Sequence, residues 1–293
     1  MKNLIPFRLL IFGVLLIVLT IATQFLPTDS PLSMFGVMWV PGIAALIATF
    51  STKRKFSEFG WKLNLKWMGY GWLLPILYGG IAYSIIWISG LGAMPKDTFL
   101  ERARLTLGMD NPNDIVIIIS AFFFISILNL LPNMILVLGE ELGWRGFLVP
   151  EMIKITTFRN TALISGSIWF FWHLPGIISG NYGNAATPLW FQLACFFILV
   201  LAGAIILTWL RLKSNSLWPA VIFHAVHNGV IQSFYTNLTA DTGNTDYFIG
   251  EFGIMVPLVS AVIALYVYIK NEYTQTILPK DELHKDSERV SVL

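Results

Sequence analysis

Residues 114–151 read DIVIIISAFFFISILNLLPNMILVLGEELGWRGFLVPE. From Ile115 to Leu138 no side chain carries a charge, and the run is longer than the roughly 20 apolar residues that cross a bilayer as a helix. It then meets Glu140, Glu141 and Arg145 within six residues. An apolar helix of membrane length that ends on two carboxylates and a guanidinium sets the terms for the rest of the chain.

The composition agrees with a membrane setting. The 293 residues are 56% hydrophobic, 14% aromatic and 12% charged, against about a quarter charged in soluble domains. Mean hydropathy is +0.69. The net charge of +2 is too small to imply nucleic acid as a partner. Cys195 is the one cysteine, so an internal disulfide or Cys-ligated zinc is excluded, and it reads as a small core residue.

Eight segments have the length and apolarity of transmembrane helices, near 7–26, 33–50, 67–90, 114–138, 161–179, 188–210, 217–236 and 251–270. An all-α polytopic fold follows. The first segment is expected to be retained, because its apolar run is long and no small-residue cleavage pattern follows it. Basic residues gather in alternate loops: Lys2 and Arg8; Lys53, Arg54, Lys55, Lys62 and Lys66; Lys154 and Arg159; Arg211 and Lys213; Lys270. By the positive-inside rule those loops, and both termini, are cytoplasmic. Only the 91–113 loop is mixed in sign. The expected organisation is one integral membrane domain: helices one to three in 1–113, a helical core in 114–270, and a charged tail, 271–293, carrying a solvated His284.

Charge at membrane depth is costly and usually functional. Apart from loops and tail, the ionisable groups are Glu140, Glu141, Arg145, His173, His224 and His227, with Asn228 as a polar companion. Glu141 and Arg145 are four apart and share a helix face, so they can pair. Glu140 points elsewhere and has no basic partner of its own, which suits it to act as a general base. Trp169 lies four before His173 and can cover its ring, and Pro175 and Gly176 are expected to bend or end that helix. His224 and Asn228 share a face and bring a ring donor and an amide donor, the pieces of an oxyanion site. His227 reads as a hydrogen-bonded core histidine.

Three motifs then emerge in order: EELGWR (140–145), WFFWH (169–173) and HAVHN (224–228). They resemble the E-E-x-x-x-R, aromatic-x-x-x-H and H-x-x-x-N motifs of the CPBP family of intramembrane peptidases (CAAX prenyl protease and bacteriocin-processing, or abortive-infection, family). Trp169 stands where that family's motif is often written with Phe. The resemblance covers about 114–229; the first three helices match only in being hydrophobic. It implies an eight-helix core with a polar cavity open to the cytoplasm, and an endopeptidase acting on membrane-associated, prenylated or other peptide substrates. It implies Glu140 as the water-activating base with His173 assisting, an oxyanion site of His224 and Asn228, and Glu141 and Arg145 organising the base. The cofactor expectation stays open between none and a single divalent metal such as zinc on Glu140, His173 and His224. No H-E-x-x-H helix is present. The competing reading is a transporter or bacteriocin-immunity protein that uses the same pocket only to bind.

Overall fold

The computed structural model describes residues 4–23, 25, 31–110 and 112–271. The tail beyond Asn271 with His284, and Lys2, lie outside the described residues. Among the described residues the chain is helical, with one isolated antiparallel bridge between Ala93 and Ala240. A helix stands at each of the eight apolar segments: α1 (Ile5–Thr23), α2 (Pro31–Ser51), α3 (Leu65–Ile88), then α5 (Asp114–Phe123) with α6 (Leu130–Glu141), α8 (Phe158–Ile178), α9 (Leu189–Ser214), α10 (Trp218–His227) and α12 (Met255–Lys270). Four of them, α1, α3, α8 and α9, are long and apolar enough to cross a membrane singly. A fifth span arises if Asp114–Leu128 and Leu130–Met152, bent by 46° at Asn129, count as one.

Three features depart from the sequence expectation. The mixed 91–113 loop holds a helix, α4 (Asp97–Leu107). Phe99, Leu100 and Ala103 on one face of α4 are buried against Ile117, Phe234 and Leu238, while its charged residues face outward and Arg104 pairs with Asp114. α8 keeps Pro175 inside it and ends at Ile178, close to the end of the 161–179 segment, and the Gly176 carbonyl accepts from the Tyr182 amide at 3.0 Å. The fourth segment does not end near Leu138. It continues through a π-helical turn (Leu142–Leu148) into α7 (Val149–Met152). α10 likewise runs into a π-helical stretch, Asn228–Tyr235, and then α11 (Thr236–Leu238).

A π-helical turn misaligns the i→i−4 ladder and needs outside partners. Two buried arginines supply them: Arg211 Nε donates to the Arg145 carbonyl at 2.9 Å and Arg54 Nη2 to the Gly146 carbonyl at 3.0 Å. Arg54 also pairs with buried Glu151 at 3.0 Å. Part of the basic excess read from the loops therefore serves packing.

In lipid, helices are driven together by close packing at small residues and not by apolar burial alone. α2 crosses α6 at such a place. A Cβ on Gly42 would lie 2.6 Å from the Gly139 carbonyl oxygen, and a Cβ on Gly139 would lie 2.6 Å from Trp39 Cα. Gly139 immediately precedes Glu140, so this crossing fixes the backbone that presents the carboxylates. Gly139→Ala is expected to force α2 and α6 apart and to destabilise the protein by about 1–3 kcal/mol, read as a lower thermal midpoint in detergent. Elsewhere α9 packs along α8 and α12, and α10 along α3 and α6. Outward faces such as Leu10, Ile17 and Ile21 of α1 and Val262 and Leu265 of α12 stay apolar and exposed, as lipid-facing surface does.

Candidate active site

Glu140 and Glu141 end α6 facing the interior, at 2% and 0% exposure. Each carboxylate meets a donor one turn further along its own helix. Arg145 Nη1 lies 2.9 Å from Glu141 Oε1, the pair the spacing called for. Trp144 Nε1 donates to Glu140 Oε2 at 3.3 Å. From α8, Trp169 Nε1 donates to the same oxygen at 2.8 Å. Among the described residues Glu140 has no basic partner within ion-pair range except His173, whose Nε2 stands 3.9 Å from Oε2. Glu140 thus has no Lys or Arg partner, as its spacing suggested, but it does have two indole donors. Both indole N–H groups fall on Oε2, and among the described residues nothing donates to Oε1.

Trp169 joins the groups. Its ring lies under the Arg145 guanidinium at 4.4 Å, edge-on to His224 at 5.5 Å and 6.2 Å from His173. A Phe there would keep the ring contacts and lose the hydrogen bond to Glu140.

His224 Nδ1 lies 2.9 Å from Glu141 Oε1, the oxygen that also takes Arg145. A carboxylate bound to arginine accepts only, so Nδ1 carries the proton and Nε2 is the nitrogen left to work. Nε2 donates only when the ring is an imidazolium. Asn228, one turn along, accepts at its Oδ1 from Gln232 at 3.5 Å, which turns its amide group away from Gln232. His227 bonds to Glu251 Oε1 at 2.7 Å and to the Tyr78 hydroxyl.

Glu140, Trp169, His173, His224 and Asn228 all line one cavity of about 790 Å³; Glu141 and Arg145 sit behind its wall. That volume suits a small-molecule or peptide segment. Among the described residues no three His, Cys, Asp or Glu side chains come together closely enough to hold a metal ion. Zinc needs its ligands within about 2.0–2.2 Å, and Glu140, His173 and His224 do not fit that demand in this arrangement.

Sequence reasoning missed four residues here. Trp144 was legible, because it is four from Glu140 and its indole is a donor. Tyr78, Tyr182 and Glu251 carried no local signal, since their partners are distant in the chain.

Residues 115–230 match the family described as Type II CAAX prenyl endopeptidase Rce1-like. The chain is also similar to CAAX prenyl protease 2 of Methanococcus maripaludis, 34% identical over 131 residues. That match takes in 43% of this chain and 45% of the relative, so the chain spans less than half the length of the curated protein it matches. The matched region contains every residue of the three motifs, from Glu140 through His173 to Asn228, and it is there that the chain is similar to the Rce1-like CAAX prenyl endopeptidases.

Proposed function

We propose that this protein is an intramembrane endopeptidase that hydrolyses a peptide bond in a membrane-associated substrate, with Glu140 as the base. The observation that carries the reading is the convergence of Glu140, His173 and His224 from three helices on one cavity, with one oxygen of Glu140 left without a protein donor. In this reading the eight helices span the bilayer, with both termini on the cytoplasmic side. Residues 114–270 carry the chemistry.

The steps follow from the donors and acceptors. A water held between Glu140 Oε1 and His173 gives its proton to Glu140 as its oxygen attacks the scissile carbonyl. His173 orients that water; at 3.9 Å it is too far from Glu140 Oε2 for a direct hydrogen bond and leaves room for one. The carbonyl oxygen gains a negative charge and meets His224 Nε2–H and the Asn228 amide. Collapse of the tetrahedral intermediate breaks the C–N bond, and Glu140 returns its proton to the leaving amine. Glu141 accepts from both Arg145 and His224, so it fixes which ring nitrogen faces the substrate. The Methanococcus relative is named for prenyl-protein processing, and a lipidated carboxyl-terminal peptide is the first substrate to try.

The test is purified protein in liposomes with such a peptide, products read by mass spectrometry. Cleavage at one bond with gain of one water is expected. His224→Ala is expected to lower kcat by roughly a hundred- to a thousandfold, as for loss of an oxyanion donor. No product from the parent protein, or an unchanged rate in His224→Ala, would count against the reading.

A further inference from the structure

Tyr182 and Glu251 lie outside all three motifs. Tyr182 sits in the irregular turn after α8 and Glu251 in the one before α12, so neither side chain is fixed by a helix of its own. Yet both line the same cavity as Glu140 and His173. The Tyr182 hydroxyl donates to Glu251 Oε2. Glu251 Oε1 lies 2.7 Å from His227 Nε2, and the Tyr78 hydroxyl meets His227 Nδ1. A carboxylate flanked by donors has no proton to give. His227 is then the Nε2–H donor, and its Nδ1 accepts from Tyr78. The chain of donation is closed: both oxygens of Glu251 and both nitrogens of His227 are used, as a buried charge requires.

What this chain holds is the Tyr182 ring. That ring lies 5.3 Å from the His173 ring, with Phe196 at 5.5 Å and Phe252 at 5.0 Å boxing it in. Phe196 also stands edge-on to His173 at 5.2 Å. On its other side His173 faces Glu140. Glu251, Tyr182, His173 and Glu140 thus run in contact across the cavity. A second link between the same two turns, Asn184 Nδ2 to Asp246 Oδ1 at 3.1 Å, holds them together away from the cavity.

We propose that Tyr182 and Glu251 are positioning residues for the reaction: the hydroxyl–carboxylate bond latches the turn after α8 to the turn before α12 and so holds the Tyr182 ring that sets His173 opposite Glu140. The inference rests on the hydrolytic reading above. A latch of this kind acts on the geometry of the reacting groups and not on substrate affinity, and its two members act as one unit.

The experiment compares parent, Tyr182→Phe, Glu251→Gln and the double variant in liposomes, with rates taken per folded protein. Substrate affinity is measured separately in a Glu140→Gln background. Tyr182→Phe keeps the ring and removes the hydroxyl. We expect kcat to fall about tenfold, KM to stay within about twofold, affinity to be unchanged, and the double variant to be no slower than the slower single one. Cleavage by Tyr182→Phe at the parental rate, additive losses in the double variant, or a loss confined to affinity would overturn this inference and leave the hydrolytic reading standing. A parent protein that cleaves nothing would overturn both.

Discussion

Glu140→Gln is expected to lower the cleavage rate by roughly a hundred- to ten-thousandfold, the usual contribution of a positioned general base, while folding and substrate binding persist. The substitution is nearly isosteric. The Gln carbonyl oxygen can still accept from Trp169 and Trp144, which now reach Glu140 Oε2 at 2.8 and 3.3 Å. What disappears is the second oxygen, the one left without a protein donor. An amide nitrogen there cannot take a proton from water. The measurement is kcat in liposomes beside the substrate dissociation constant and the thermal midpoint in detergent. A fall in kcat with the other two unchanged is the expected pattern. A pocket that only binds, as in a transporter or immunity protein, has no such split.

Arg145→Met is expected to do the reverse: to cost folding first. Arg145 is 1% exposed and Glu141 fully buried, and removing one member of a buried ion pair costs about 3–5 kcal/mol because the other charge is left uncompensated. Two further supports go with it. Arg145 covers the Trp169 ring at 4.4 Å, and Glu141 Oε1 is the acceptor for His224 Nδ1 at 2.9 Å. The thermal midpoint in detergent should fall by several degrees or more. The double variant Glu141→Leu, Arg145→Met should recover much of that stability, since replacing both charges with apolar groups removes the stranded carboxylate. It should not recover activity, because His224 has then lost the group that selects its working nitrogen. Recovery of both together would show that Glu141 serves packing alone.

How far the sequence could be read differs from residue to residue, for physical reasons. Glu141 and Arg145 were legible as a pair because both lie on one helix at a spacing of four, and a helix fixes that distance. Trp144 follows the same rule toward Glu140, with its indole N–H as the donor. The bond from His224 to Glu141 spans 83 positions of sequence. No periodicity encodes it, and it changes the chemistry of His224 by fixing the proton on Nδ1. The helices themselves were visible as apolar runs. Their interruptions were not: the bend at Asn129 and the π-helical turns at Leu142–Leu148 and Asn228–Tyr235 leave apolarity unchanged. α4 was hidden for the opposite reason, since its mixed charge resembles a loop until the periodicity of Phe99, Leu100 and Ala103 is set against a partner. The proposed zinc set could be assembled from residue types, but the distances do not bring three ligands together.

In the proposed mechanism Glu140 takes a proton from water and does not itself attack the substrate. The most direct measurement is turnover in heavy-oxygen water, followed by mass spectrometry of both the cleaved peptide and the peptide of the enzyme that contains Glu140. One solvent oxygen is expected in the new carboxyl terminus of the product and none in the Glu140 side chain. Solvent oxygen found in the Glu140 carboxylate would mean a covalent acyl intermediate on that residue and would contradict the proposed mechanism.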